Sequence, residues 1–285
     1  MAFTIVVGLD GSSGSLRALN WAAETATRVD ARLTPALAWQ YPSLALMPFP
    51  AGYPVPPAES MEIDAKQRAA GMVQSIVELG AIDVTEPIVR QGGSGVVLCE
   101  AAEGADLLVV GSRGLGSIKG TILGSVSAHC AAASPCPLAI IPSGEPDRPP
   151  TDLVVIGVDG SPLSDAAVEW ADIWAPENAI LLVVHVWDIQ LMVDGVAVDI
   201  DLDAVEQAAA EIVDGAASLV TRHEVETSTI RGDARIQLKK LAKDADMLVI
   251  GARGHSVFER FLMGSVASYT AHHLVAPTVI VRPTE

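Results

Sequence analysis

The chain has 285 residues, half of them apolar and 19% charged, with a formal charge of −17. That length suits two domains with well-filled cores and excludes a disordered chain. The acidic surplus excludes a nucleic acid or an anionic membrane surface as partner, and no apolar run reaches the ~18 residues of a membrane span.

The chain begins with an apolar stretch over residues 4–9 that ends in Asp10 and Gly11. Unbroken β-formers of this length read as a strand buried on both faces. A helix follows, then a second strand ending at Trp39. Residues 41–57 hold six prolines and Gly52, a composition that cannot pair into a sheet and reads as a surface loop. A long helical pattern covers 58–79, a strand 84–89 and a short helix 96–102. Residues 107–110, Leu-Leu-Val-Val, form the next buried strand.

That strand feeds the stretch around which the first half is built. Gly111 and Gly114 are followed, after nine residues, by Gly124 and Ser125. Repeated glycine lets the backbone approach a ligand with no Cβ in the way. Gly124-Ser125 opens a helix over 126–133, and a helix start presents amides suited to phosphate, with Ser125 readable as its N-cap. A last strand covers 138–141.

The pattern then repeats. Asp159 and Gly160 end a strand as Asp10 and Gly11 do, and Ser161-Pro162 is an N-cap followed by proline at the first helical position. Trp170 and Trp187 answer Trp21 and Trp39. The later elements are expected at 202–222, 225–230, 236–242 and 278–281. Gly251 and Gly254, then nine residues, then Gly264 and Ser265 repeat the loop spacing. The interval from Asp159 to Gly251 is nine residues shorter than that from Asp10 to Gly111, a loss that falls in the proline loop, where 188–201 has no proline. The chain is a tandem duplication, with domains at 1–143 and 151–285 joined by a stiff proline-rich linker.

Alternating strands and helices of this kind predict α/β domains, each a parallel sheet with helices on both faces. Ligands bind such sheets beyond the strand carboxyl ends, where the winding reverses. Placing the reversal between the first and fourth strands sets Asp10 and the glycine loop on either side of one crevice, and Asp159 and its loop on another. The acids suit ribose hydroxyls or a base, or else cap the helix that follows. Arg113 and Arg253 share one loop position, where they neutralise phosphate or stand solvated.

Other chemistry has no visible motif. The sequence lacks G-x-x-x-x-G-K-[ST], and Lys119 stands where G-x-G-x-x-G needs its third glycine. His129, His185, His255, His272 and His273 do not recur between the copies, and no nucleophile, base and orienter come together. The expectation is a nucleotide-binding protein without catalytic residues, with slow hydrolysis at most. The alternative is a slow ATPase or a nucleotidyl or phosphoryl transferase of the same fold. Cys99, Cys130 and Cys136 read as ordinary semi-buried thiols, and with no basic, signal-like start the expected compartment is the cytoplasm.

The doubled G-x2-G-x9-G-S spacing, the strand-end Asp10 and Asp159, and the proline-preceded last strands after Pro137 and Pro277 together resemble the universal stress protein family in its tandem form. The resemblance covers nearly the whole chain. It implies two open-twisted five-stranded parallel sheets, Rossmann-like and similar to the adenine nucleotide alpha hydrolases. It further implies ATP, with Mg²⁺, in each domain, and a regulatory or signalling role in stress response with an unnamed protein partner. Adenine would lie against Ala38 and Val186. The phosphates would lie on the glycine loops, on Ser125, Val126 and Ser127, and on Ser265 and Val266. The family's last strands dimerise, so the two domains are expected to pair through theirs, with a homodimer left open. Ala267 in place of Ser127, and Glu259 in place of Lys119, make the first site the expected tighter one.

Overall fold

The structure is a computed structural model and describes residues 2–41, 57–77, 82–114, 123–144, 148–188, 192–193, 196–197, 201–254 and 263–282. The chain forms two compact units, Met1–Ser143 and Gly144–Glu285.

In the first unit β1 (Thr4–Leu9), α1 (Ser13–Val29), β2 (Arg32–Trp39), α2 (Ala58–Val77), β3 (Ile88–Gln91), α3 (Ser94–Ala101), β4 (Leu107–Gly111), α4 (Ser125–Ala133) and β5 (Leu138–Ile141) follow in order. The strands lie in the order β3-β2-β1-β4-β5, all parallel. The chain therefore winds outward from β1 to β3 and returns to the other side of β1 at β4, which puts the reversal between the first and fourth strands. Right-handed crossovers set α1 and α2 on one face and α3 and α4 on the other, and each pair is in contact. Ile5, Leu107, Leu108, Leu138 and Ile140 are fully buried between those layers.

The second unit repeats the plan. Its elements are β6 (Leu153–Val158), α5 (Pro162–Trp174), β7 (Ile180–Trp187), a short antiparallel pair β8 (Met192–Val193) and β9 (Val196–Ala197), α6 (Leu202–Ala217), β10 (Glu224–Arg231), α7 (Ala234–Ala242), β11 (Met247–Gly251), α8 (Ser265–His272) and β12 (Thr278–Val281). Its sheet order is β10-β7-β6-β11-β12, again parallel.

The main departures from the sequence reading have local reasons. β3 starts at Ile88, with Val84 joined to Leu33 by an isolated bridge, because Pro87 between them has no N–H for the ladder. The equivalent β10 has no proline and pairs with β7 along all eight residues. Nor is β10 apolar on both faces: Glu224 and Glu226 are exposed along it, as suits a strand at a sheet edge. Finally, α6 ends at Ala217 and not near residue 222, because the amides of Thr221 and Arg222 are donated to Asp172. The proline loop at 42–56 lies outside the described residues.

Candidate functional site

Beyond the carboxyl end of β1, Gly11 takes a positive φ of 84°, and beyond that of β6 Gly160 does the same at 77°. The turn lets each preceding aspartate reach back over the start of the next helix. Asp10 Oδ1 accepts from the Ser12 amide at 2.9 Å; Asp159 Oδ1 accepts from the Ser161 amide at 3.1 Å and its hydroxyl at 2.6 Å. Ser12 and Ser161 are themselves the N-caps of α1 and α5. One oxygen of each acid braces the helix entry, and the other points across the crevice. A β-carbon on Gly114 would collide with Asp10 Oδ2, and one on Gly254 with Asp159 Oδ2.

The opposite wall is the loop after β4. Ser112 N donates to Ile141 O at 2.8 Å, prolonging the pairing with β5, and Gly124 N donates to Ser112 O at 2.8 Å where the loop returns. Ala252 and Gly264 repeat both bonds at 2.8 and 2.9 Å. Gly111 is required by packing, since a β-carbon there would meet the Gly14 backbone at 2.7 Å.

The helix caps correct one expectation. Gly124 and Gly264 are the N-caps of α4 and α8, and Ser125 and Ser265 are the first helical residues. A glycine cap has no side chain to accept a first-turn amide, so these helix starts keep donors available for an anion. The buried Ser127 hydroxyl donates to both Ser112 O and Gly124 O at 3.0 Å, so its proton ties loop to helix.

In the first unit Asp10, Ala38, Gly111, Arg113, Gly114, Gly124, Ser125, Val126 and Ser127 line one cavity of about 490 Å³. In the second, Asp159, Val186, Gly251, Arg253, Gly254, Gly264, Ser265 and Val266 line another of about 260 Å³. Gly11 and Gly160 are not on these walls; they make the turns that aim the acids. Arg113 is exposed at the rim and Arg253 half-buried. Residues 119 and 259 lie outside the described residues.

The sequence reading missed the floor of each cavity. Ser94 and Leu98 of α3, and Ala234 and Leu238 of α7, contribute to it. The signal was present in Gly8 and Gly157, which interrupt otherwise branched strands at the same place. A β-carbon on Gly8 would meet Leu98 Cδ1 at 2.7 Å, and one on Gly157 would meet Leu238 Cδ1 at 2.9 Å.

Four histidines within the described residues have hydrogen-bond partners in the structure. His185 Nδ1 lies 2.9 Å from Val158 O, His272 Nδ1 2.7 Å from Ser268 O, and His273 Nδ1 2.9 Å from Tyr269 O. His223, absent from the sequence reading, is buried beside Asp172, its two ring nitrogens facing Asp172 Oδ1 at 3.2 Å and Pro176 O at 3.0 Å. Residue 255 lies outside the described residues. Burial pushes the Cys136 thiol up to about 11, and a hydrogen bond with Cys99 together with burial pushes Cys130 up as well.

Two parallel α/β units, each with an acid and a glycine loop facing across a switch-point crevice, define a class of α/β proteins built by duplication. Residues 1–142 and 151–282 each match the universal stress protein family, and the chain belongs to that family. A universal stress protein of Mycolicibacterium smegmatis is 28% identical over 293 residues, covering 99% of this chain and 97% of its own. One from Mycobacterium tuberculosis is 26% identical over 289 residues, covering 98% and 96%. The crystal structure of a universal stress protein from Archaeoglobus fulgidus superposes with a TM-score of 0.68 at 19% identity, covering 98% of both chains, a likeness of fold. No helix among the described residues is long and apolar enough to cross a membrane.

Proposed function

We propose that the protein is a nucleotide-binding regulator of the stress response that takes ATP at the glycine-loop crevice and carries its occupancy to a partner. The observation that carries this reading is the opposition of Asp10 Oδ2 to Gly114, beside a helix start capped by a glycine without a side-chain bond. A carboxylate repels phosphate but accepts from ribose hydroxyls, whereas main-chain amides at a helix start attract phosphate. The polarity of the crevice thus matches a nucleotide lying with its ribose at Asp10 and its phosphates at Ser125 and Val126. Ala38 at the end of β2 offers a small apolar wall to the base. Among the described residues no three of His, Cys, Asp and Glu are grouped to hold a metal, so a Mg²⁺ ion would travel on the triphosphate with its own waters.

Occupancy at 100 times the dissociation constant stabilises the bound form by about 2.7 kcal/mol, enough to bias a two-state surface. Mass spectrometry of the nucleotide released on denaturing the purified protein tests the reading, with ATP or ADP as the expected species. A steady-state phosphate-release assay separates it from an enzyme: a regulator stays well below about 1 turnover per second, and faster release would assign catalysis.

A further inference from the structure

All three cysteines of the chain lie in the first unit, and the fold gathers them. Cys99 on α3 and Cys130 on α4 share a hydrogen bond, and Cys136, just before β5, stands beside them. We infer that Cys99 and Cys130 are a dithiol oxidised by peroxide, with Cys99 the sulfur that meets the oxidant and Cys130 the sulfur that closes the disulfide.

A close approach of the two helices brings the sulfurs together. A β-carbon on Gly95 would meet the His129 ring at 2.6 Å, so α3 lies this near α4 because that position is bare. Cys99 follows Gly95 on the same helix face one turn later, and Cys130 follows His129 in the chain. The two thiols differ in access: Cys99 is half-exposed and Cys130 fully buried. An oxidant in solution reaches Cys99 first and finds its resolving partner already in contact. Packing alone does not call for sulfur here. The equivalent helices α7 and α8 carry Lys239 and Thr270 at these two positions and are in contact all the same.

The chemistry is that of a thiol pair and hydrogen peroxide. The Cys99 sulfur, as thiolate, attacks one peroxide oxygen; an S–O bond forms as the O–O bond breaks. The departing hydroxide takes up the proton that Cys99 released, leaving water and a sulfenic acid. The Cys130 sulfur then attacks the Cys99 sulfur, the S–S bond forming as the S–O bond breaks, and the Cys130 proton leaves with that hydroxide as a second water. The two thiols lose two electrons in all, and one peroxide is reduced to two waters. The hydrogen bond with Cys99 and burial keep Cys130 protonated beforehand, so it stays unreactive until Cys99 has been oxidised. The new bond fastens together two helices that wall the crevice, α3 through Ser94 and Leu98 and α4 through Ser125 and Ser127.

The full chain, reduced, freed of reductant and given an equivalent of hydrogen peroxide at neutral pH, tests this without any nucleotide. Thiols counted after denaturation should fall from three to one, the intact mass should fall by two hydrogens, and dithiothreitol should restore both. Cys136→Ser should form the same disulfide as the wild type. Cys130→Ser should stop at a sulfenic acid on Cys99 that dimedone traps. Cys99→Ser, a change at a half-exposed position, should keep both remaining thiols. If Cys130→Ser does not fold, Cys130→Thr, which copies the second unit, serves for it. Three thiols surviving in the wild type, a mass that gains oxygen in place of losing hydrogen, a disulfide formed without Cys130, or thiol loss in Cys99→Ser to the wild-type extent would overturn the inference.

Discussion

Asp10 Oδ2 lies in the space that a β-carbon on Gly114 would need, across the crevice from the strand that carries it. The same relation joins Asp159 to Gly254. An acid on one strand end and a bare backbone on the next wall are thus fitted to each other before any ligand arrives.

Gly114→Ala is therefore expected to displace the Asp10 carboxylate and to weaken ATP binding by tenfold or more, as read by calorimetry. Gly71→Ala is the control. It sits within α2 with nothing inside 4 Å of the added carbon, so it should leave binding unchanged and raise stability by roughly 0.5–1 kcal/mol.

Ser127→Ala removes the hydroxyl that ties Ser112 O to Gly124 O. Loss of that buried bond should cost about 1 kcal/mol in denaturant unfolding. ATP affinity at the first site should fall by less than tenfold, because the hydroxyl acts on the ligand through the loop it holds. Wild-type Ala267 shows that the fold tolerates the change.

Asp172 gives a pH dependence with a defined sign. Burial opposes its ionisation, but the Thr221 hydroxyl and amide, the Arg222 amide and His223 together hold the carboxyl down to about 2. A carboxyl with a depressed folded pKa contributes stability above its unfolded value of ~4, and loses it as pH falls through the folded value. The contribution is of order 2 kcal/mol. Thermal melts should lose stability between about pH 4 and 2, and Asp172→Asn should flatten that loss while lowering stability at neutral pH. Hydrogen exchange at the Thr221 and Arg222 amides should quicken in the variant.

The cysteines offer a simple check on the first unit. Cys130 and Cys136 are buried with raised pKa values, whereas Cys99 is half-exposed. Since thiolate is the reactive form, a maleimide at neutral pH should modify Cys99 first and reach the other two on denaturation. Rapid labelling of all three in the native protein would contradict the packing of α3 and α4.

The site was legible wherever glycine and aspartate recur in register. Asp10, Gly111, Gly114 and Gly124 have to be where they are for the chain to pass that close to itself, and the second copy repeats them. Less legible was what depends on neighbours far along the chain. Leu98 enters the cavity because Gly8 leaves room for it, a pairing between strand and helix that no local spacing announces. Ser125 looked like a cap, but Gly124 takes that position because its carbonyl accepts from Ala128 and its amide is tied back to Ser112. The Asp172–His223 pair links α5 to the segment before β10, and without a counterpart in the first unit it left no repeat to notice.

The most direct measurement is a calorimetric titration of ATP with Mg²⁺ onto the full chain beside its Gly124→Asp variant, which puts a carboxylate into the cradle at the start of α4. Saturable binding by the wild type, with loss of first-site binding in a folded variant, is the predicted result. A wild type that gives no heat, or a variant that binds as the wild type does, would mean that these main-chain amides do not receive the phosphates.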